Sequence, residues 1–424
     1  MSDSATLRLR FSFMFALVVA AEAVFGLPFL VARVFRPTLL DVFGITNFEL
    51  GSAFSVYGVV AMAAYFFGGP LADRFSPRRL LVVALLTTSL GGIVFARIPS
   101  LEVLSVLFGF WGVSTILLFW SALIRATREW GGVSQQGRAF GTLDAGRGLF
   151  AAVLSSLAVA VFAAALGDNP ANTTLEQKSD ALAQAIWIFT AVTALAALLV
   201  WFGVPERSGP GESAEKFNLK DAGRVLAMPT VWLQAVIVIC AYVGYKGADD
   251  FSLFARDAYG MDDVEAAKVG TISLWVRPFA ALAAGLLGDR LGISRVAAGS
   301  FLALVLIEGS VALGMLPPAV PVALFLAVAG ASVMIHALRG LYYAMLEEGA
   351  VPAAFTGTAV GLVSIIGYTP DIFMGPLMGY LTDASPGAEG HEHLFAVLTV
   401  FSLIGFATTL AFTRVSTGQR KALA

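Results

Sequence analysis

Glu22, Lys246, Asp249, Asp250, Arg277, His336, Arg339 and Asp371 each interrupt a long apolar run. A charged side chain in such a run costs several kcal/mol unless it is paired or hydrated, so each is a candidate for function. Two chemistries are on offer. Glu22, Asp371 and His336 can take up and return a proton, while Lys246, Arg277 and Arg339 can hold an anion. A guanidinium suits the second task because its planar fork matches carboxylate, phosphate or sulfonate. Spacing leaves some assignments open. Lys246 and Asp250 are four apart and can pair locally on one helix face. Arg277 has no acid three or four residues away and precedes Pro278, which frees a backbone carbonyl. It is either an anion contact or a cross-helix bridge to Asp371 or Glu22. His336 is either a packing histidine or a proton relay, and Glu308 receives no role.

Charge also gathers between apolar runs. "GGPLADRFSPRR" (68–79) holds Asp73, Arg74, Arg78 and Arg79, and "GLLGDRLGISR" (285–295) repeats the pattern 216 residues on, with Asp289, Arg290 and Arg295. Asp144 and Arg147 stand three apart in "GRAFGTLDAGRG". "GAEGHEH" (387–393), read as an external glycine-rich loop, places His391 and His393 near Glu389 and Asp383. Residues two apart do not share a helix face, so no metal is expected there. No Gly-x-Ser-x-Gly, P-loop or His-Glu-x-x-His pattern occurs, so no enzyme chemistry and no cofactor are expected.

The elements that must position these residues are membrane spans. The chain is 58% hydrophobic and 13% charged, with a mean hydropathy of +0.82. A soluble domain carries roughly a quarter charged residues. A helix needs about 20 apolar residues to cross a bilayer. Candidate spans fall near 11–33, 50–72, 79–97, 102–124, 139–166 and 183–204, then near 229–254, 267–288, 295–316, 320–345, 355–382 and 393–413. That is an all-α integral membrane protein of twelve helices in two pseudo-symmetric six-helix halves, 1–204 and 229–424, joined by a polar linker at 205–228. The first apolar run has the basic flank of a signal peptide but continues through "VFGLPFLVA", so it is read as an uncleaved first span. With the N-terminus inside, 17 Lys and Arg fall in cytoplasmic segments, 6 in external ones and 4 within spans, which puts both termini in the cytoplasm. The single Cys240 allows no internal disulfide, and a net charge of −2 argues against a nucleic-acid partner.

The Gly-x-Leu-Ala-Asp-Arg stretch after span two, its echo after span eight and the six-plus-six count resemble the major facilitator superfamily. That resemblance implies alternating access around one central site, with spans one, four, seven and ten lining the cavity and the Asp-Arg knots latching the cytoplasmic side. Asp73, Arg74, Arg78, Asp144, Arg147, Asp289 and Arg290 are the gate residues it implies. Ser76 and Pro77 depart from the loop pattern; the plain alternative is a basic loop that only sets topology. "YVGYKGADDFSLF" (242–254) and "GLVSIIGYTPDIFMGPLMGYLTD" (361–383) are similar to spans seven and eleven of the organophosphate:phosphate antiporters. That branch places arginines in spans one and seven on phosphate. Arg33 answers the first, and Lys246 lies one position from the second.

The reading is a secondary transporter of the cytoplasmic (inner) membrane, expected as a monomer in the lipid bilayer. Its solute is a small organic anion, such as a sugar phosphate, sulfonate or carboxylate, moved by proton symport or anion exchange. Lys246, Arg277, Arg339 and Arg33 hold the anion, Trp120 and Tyr245 touch the solute, and Glu22, Asp371 or His336 carries a coupling proton. The competing readings are proton-driven efflux of an amphipathic compound and a non-transporting receptor.

Overall fold

The computed structural model describes residues 3–132, 135–206, 223, 225–317, 319–349, 351 and 356–423, without the side chains of 3–8, 73, 137, 347, 356–358 and 419–423. Among the described residues twelve helices are long and apolar enough to span a membrane. They are Leu9–Val34, Asn47–Ala72, Pro77–Phe95, Leu101–Gly131, Arg138–Leu166 and Leu175–Gly203, followed by Pro229–Tyr259, Asp263–Leu291, Ile293–Ala312, Pro321–Leu341, Ala359–Ala384 and Ala388–Gly418 (spans 1 to 12). The expected linker 205–228 falls largely outside the described residues. Aliphatic cores form mostly within spans 1–6 and within spans 7–12. Large apolar side chains such as Phe67 and Phe202 point outward, as a lipid-facing surface requires.

Several helix starts are fixed by local chemistry. Thr46 with Glu49, Thr174 with Gln177 and Asp262 with Glu265 form reciprocal capping boxes, which satisfy amides that have no intrahelical partner. The Thr174 cap is why span 6 begins at residue 175 rather than near 183: the polar turn "LEQKSDA" is already helical. A second correction concerns residues 387–393. They are not an external loop, because Ala388 opens the helix of span 12 and carries His391 into the bundle with a fully buried side chain.

Two helix pairs join the halves: span 2 on span 11 and span 5 on span 8. The first depends on glycine. A Cβ on Gly51 would sit 2.1 Å from the Gly375 carbonyl oxygen, one on Gly379 would sit 2.2 Å from the Phe48 amide nitrogen, and one on Gly58 would sit 2.6 Å from the Asp371 carbonyl oxygen. Small residues at a crossing let two backbones approach, and that close packing is what drives helix association in lipid. Ser55 adds a hydrogen bond to the Ile372 carbonyl across the same interface.

A further set of cross-half ties gathers at the bundle end opposite the termini, called here the far face. Arg256 binds Asp41 (3.0 Å) and the Pro37 carbonyl (3.2 Å), Lys178 binds Asp41 (3.0 Å) and Asp263 (2.7 Å), and Thr38 donates to Asp263 (3.0 Å). Asp383 of span 11 accepts from the Asn47 and Phe48 amides that open span 2, at 3.2 and 2.7 Å, where the helix dipole favours an anion. Among the described residues no hydrogen bond or ion pair joins the halves on the terminal side of Asp144 and Arg277. The far face is shut.

Gly375→Val would force the span 2–span 11 backbones apart. Overpacking costs about 1–3 kcal/mol, so the apparent melting temperature in detergent should fall, whereas Gly361→Val on the same span, whose added Cβ meets nothing within 4 Å, should leave it nearly unchanged.

Candidate solute cavity

Three of the cavity-lining spans lose regular α-helix at mid-depth. Span 1 passes through a π-helical turn at Gly26–Leu30, span 4 through a longer one at Val113–Trp120, and span 7 through a 3-10 turn at Ala248–Asp250. Pro28 lies in the first of these, and π turns recur at functional sites because they re-aim the side chains that follow. Between them lies a cavity lined by Phe25, Phe29 and Trp120 on one side and by Tyr242, Tyr245 and Tyr368 on the other. Glu22, Arg33, Arg147, Lys246, Arg277, Arg339 and Asp371 reach the same space.

These charges form two clusters. In the first, Glu22 is shared by a guanidinium from each half: Arg147 at 3.1 Å and Arg277 at 3.3 Å. Arg277 also reaches Asp144 at 3.3 Å. In the second, Asp249 accepts from Arg33 at 2.5 Å and from Lys246 at 3.1 Å, while Lys246 lies 3.6 Å from Asp371. The Tyr242 hydroxyl completes it, 3.1 Å from both Asp371 oxygens. Arg339 stands apart. It lies over Tyr245 at 3.8 Å and Tyr242 at 5.4 Å, it makes no ion pair among the described residues, and its Nη1 is buried without a hydrogen-bond partner.

The geometry settles the open pairings. Arg277 bridges to Glu22, not Asp371. Lys246 pairs with Asp249 rather than Asp250, because the 3-10 turn tightens the chain to three residues per turn and brings Asp249 onto the face of Lys246. Asp250 instead meets His391 at 2.6 Å. Asp144 and Arg147, expected at a terminal gate, reach the central Glu22–Arg277 cluster. His336 is buried 3.3 Å from the Ser273 hydroxyl, against Tyr245. Glu308, which the sequence left without a role, is buried and accepts from Ser402 at 2.7 Å. Trp120 and Tyr245 both line the cavity.

Of the charged knots, the Asp73 side chain lies outside the described residues. Arg74 lies over Phe75, and Arg78 and Arg79 both pair with Glu206 at the end of span 6, within their own half. Asp289 and Arg290 are exposed, with no hydrogen bond or ion pair among the described residues.

Residues 11–369 match the sequence profile of the Major Facilitator Superfamily. The chain belongs to that superfamily. It is similar to inner membrane protein YqcE of Escherichia coli K12, 28% identical over 89% of this chain and 88% of that protein. Inner membrane protein YihN of the same organism is 24% identical over 96% of each. The same fold is seen in the nucleoside transporter NupG (D323A mutant), with a TM-score of 0.74 and 12% identity over 95% of this chain and 99% of that one. It recurs in a bacterial homologue of the human lysosomal transporter Spinster, inward-facing and unoccupied, with a TM-score of 0.71 and 16% identity over 97% and 98%. The protein is therefore a multi-pass membrane transporter of the facilitator type, not an enzyme.

Several residues in this facilitator fold carried no usable signal in the sequence. Asp41, Lys178, Arg256 and Asp263 are ordinary loop and helix-end charges whose partners are mostly more than a hundred positions away. Arg125, which donates to the Ala72 carbonyl at 2.6 Å and so ties span 4 to the end of span 2, reads as part of an amphipathic helix end.

Glu22→Gln would leave two guanidiniums without their shared carboxylate. Removing one partner of a buried pair costs about 3–5 kcal/mol, so the apparent melting temperature should drop. Adding Arg147→Gln should recover part of that loss. A double variant as unstable as the sum of the singles would show the pair is not coupled.

Proposed function

We propose that this transporter carries a small organic anion and that Arg339 receives its charged group. What supports the reading is the partnering of the cavity. Arg33, Arg147, Lys246 and Arg277 are each held by a carboxylate, whereas Arg339 has only aromatic faces against it. A cation at mid-membrane without a counter-ion is costly, and an anionic solute supplies the missing partner with the planar match that guanidinium favours. Arg339 thus takes the leading part over Arg277, while Lys246 and Arg33 shape the pole beyond it. Trp120, Phe25 and Phe29 offer faces to the apolar or ring portion of the solute. Sugar phosphates, sulfonates and carboxylates share this chemistry, and the likeness to organophosphate:phosphate antiporters agrees with the class.

Glu22 and Asp371 fit proton coupling by competition. Neutralising Glu22 frees Arg147 and Arg277 together, and neutralising Asp371 loosens Lys246, so a proton and an anion favour each other's binding. His336, packed on Ser273, contributes to the wall. Asp73, Arg74, Arg78, Asp289 and Arg290 are assigned to a terminal-side gate that engages when the far face opens. The excess of basic residues on the terminal side and the inner-membrane relatives support a protein of the cytoplasmic membrane with both termini inside; it is read as a monomer. The far face is then external, and the conformation described is inward-facing.

The test is affinity. Ligand-induced thermal stabilisation across a panel of organic anions finds a binder, since binding raises stability by about 2.7 kcal/mol at a hundred dissociation constants. Arg339→Ala should cost about 2–5 kcal/mol of binding, at least tenfold in Kd. Arg339→Lys, which keeps the charge and loses the fork, should fall between. Unchanged affinity in Arg339→Ala would remove the reading's main support, and a panel in which only neutral or cationic amphipaths stabilise would favour efflux.

A further inference from the structure

Behind the far-face ties lies a histidine that the cavity does not use. His391 Nδ1 is 2.6 Å from Asp250 Oδ2, and its Nε2 is 3.3 Å from Asp257 Oδ2. A neutral imidazole has one N–H, so one of its nitrogens would turn a lone pair on a carboxylate; an imidazolium donates from both. The second Asp250 oxygen, Oδ1, is buried without a hydrogen-bond partner among the described residues, as are Nη1 and Nη2 of Arg36 from the other half. Asp250 therefore relies on His391 for its hydrogen bond. The other charged groups nearby are committed or turned away. Arg256 binds Asp257 from behind at 3.0 Å, and Asp383 of span 11 holds the start of span 2. On span 12 itself, Glu392 lies beside Gly314, and Glu389 and His393 are exposed. Phe254 closes the remaining side.

Both carboxylates that grip His391 adjoin ties between the halves. Asp257 holds Arg256, which crosses to Asp41 and the Pro37 carbonyl. Asp250 ends the 3-10 turn that aims Asp249 at Arg33. We propose that His391, clamped between Asp250 and Asp257, is a proton-binding site separate from the solute cavity, whose occupancy holds the far face closed. The proton enters from the solution on the far face and returns there. Without it, two carboxylates of span 7 face each other across a neutral ring, and their repulsion loosens Arg256 and the turn that carries Asp249.

The experiment needs no solute, so it can fail independently of the anion reading. Spin labels at Ala171→Cys and Met315→Cys, one on each half of the far face, in a Cys240→Ser background, report closure as a distance in lipid nanodiscs. The wild-type pair should show a single short distance at acidic pH and a growing long-distance population as the pH is made alkaline. His391→Gln, whose amide nitrogen can donate but whose side chain cannot be charged, should show the long population at every pH. Asp257→Asn should shift the wild-type transition to lower pH, since one anion facing the ring is gone. A wild-type distance distribution that does not change with pH would overturn the proposal. So would a pH response retained in His391→Gln.

Discussion

Everything inside this bundle is arranged around the cost of an unpaired charge in a medium that cannot solvate it. Five cations and four carboxylates meet within the membrane-spanning region, and the carboxylates are shared so that one residue serves two partners. Glu22 takes a guanidinium from each half, and Asp249 takes Arg33 from one half and Lys246 from its own. Shared carboxylates make the charges interdependent: changing the protonation of one acid alters two contacts at once, and one of those contacts crosses between the halves. Local electrostatics and the relation of the two halves are thereby a single equilibrium.

The same constraint explains the backbone. A regular helix presents one side chain every 100°, and a turn of different pitch changes which residues share a face. The π turns of spans 1 and 4 and the 3-10 turn of span 7 make that change at the depth where the charges sit. Irregular backbone at membrane depth is tolerated where protein or a cavity surrounds it, and here it surrounds the cavity.

The spans and most of the charged positions in the cavity were legible in the sequence, because an ionisable residue in an apolar run is visible without any partner. Glu22, Lys246, Arg277, Arg339 and Asp371 all reach the cavity they were expected to reach. Their pairing was not legible, since the acids that hold Arg277 lie 255 and 133 positions away. Asp249 and Asp250 exchanged roles because one short 3-10 turn shifts the register, which no periodicity reveals. His391 was hidden by its setting: glycines and polar neighbours mark "GAEGHEH" as a loop, whereas the helix of span 12 begins inside it. The terminal-side knots were legible as motifs, but the contacts of Arg78 and Arg79 were not, since both pair with Glu206 more than a hundred positions away.

The glycine crossing of spans 2 and 11 has a mechanical consequence. If the Gly58–Asp371 approach is taken as a fulcrum, span 2 extends eleven residues to Asn47 and sixteen to Arg74. At 1.5 Å per residue these are arms of about 16 Å and 24 Å. A given tilt moves the terminal end about half as far again as the far end. The hydrogen bonds of Asp383 to the Asn47 and Phe48 amides act at the tip of the short arm, where a displacement of little more than an ångström is enough to break them, while the long arm sweeps the wider opening.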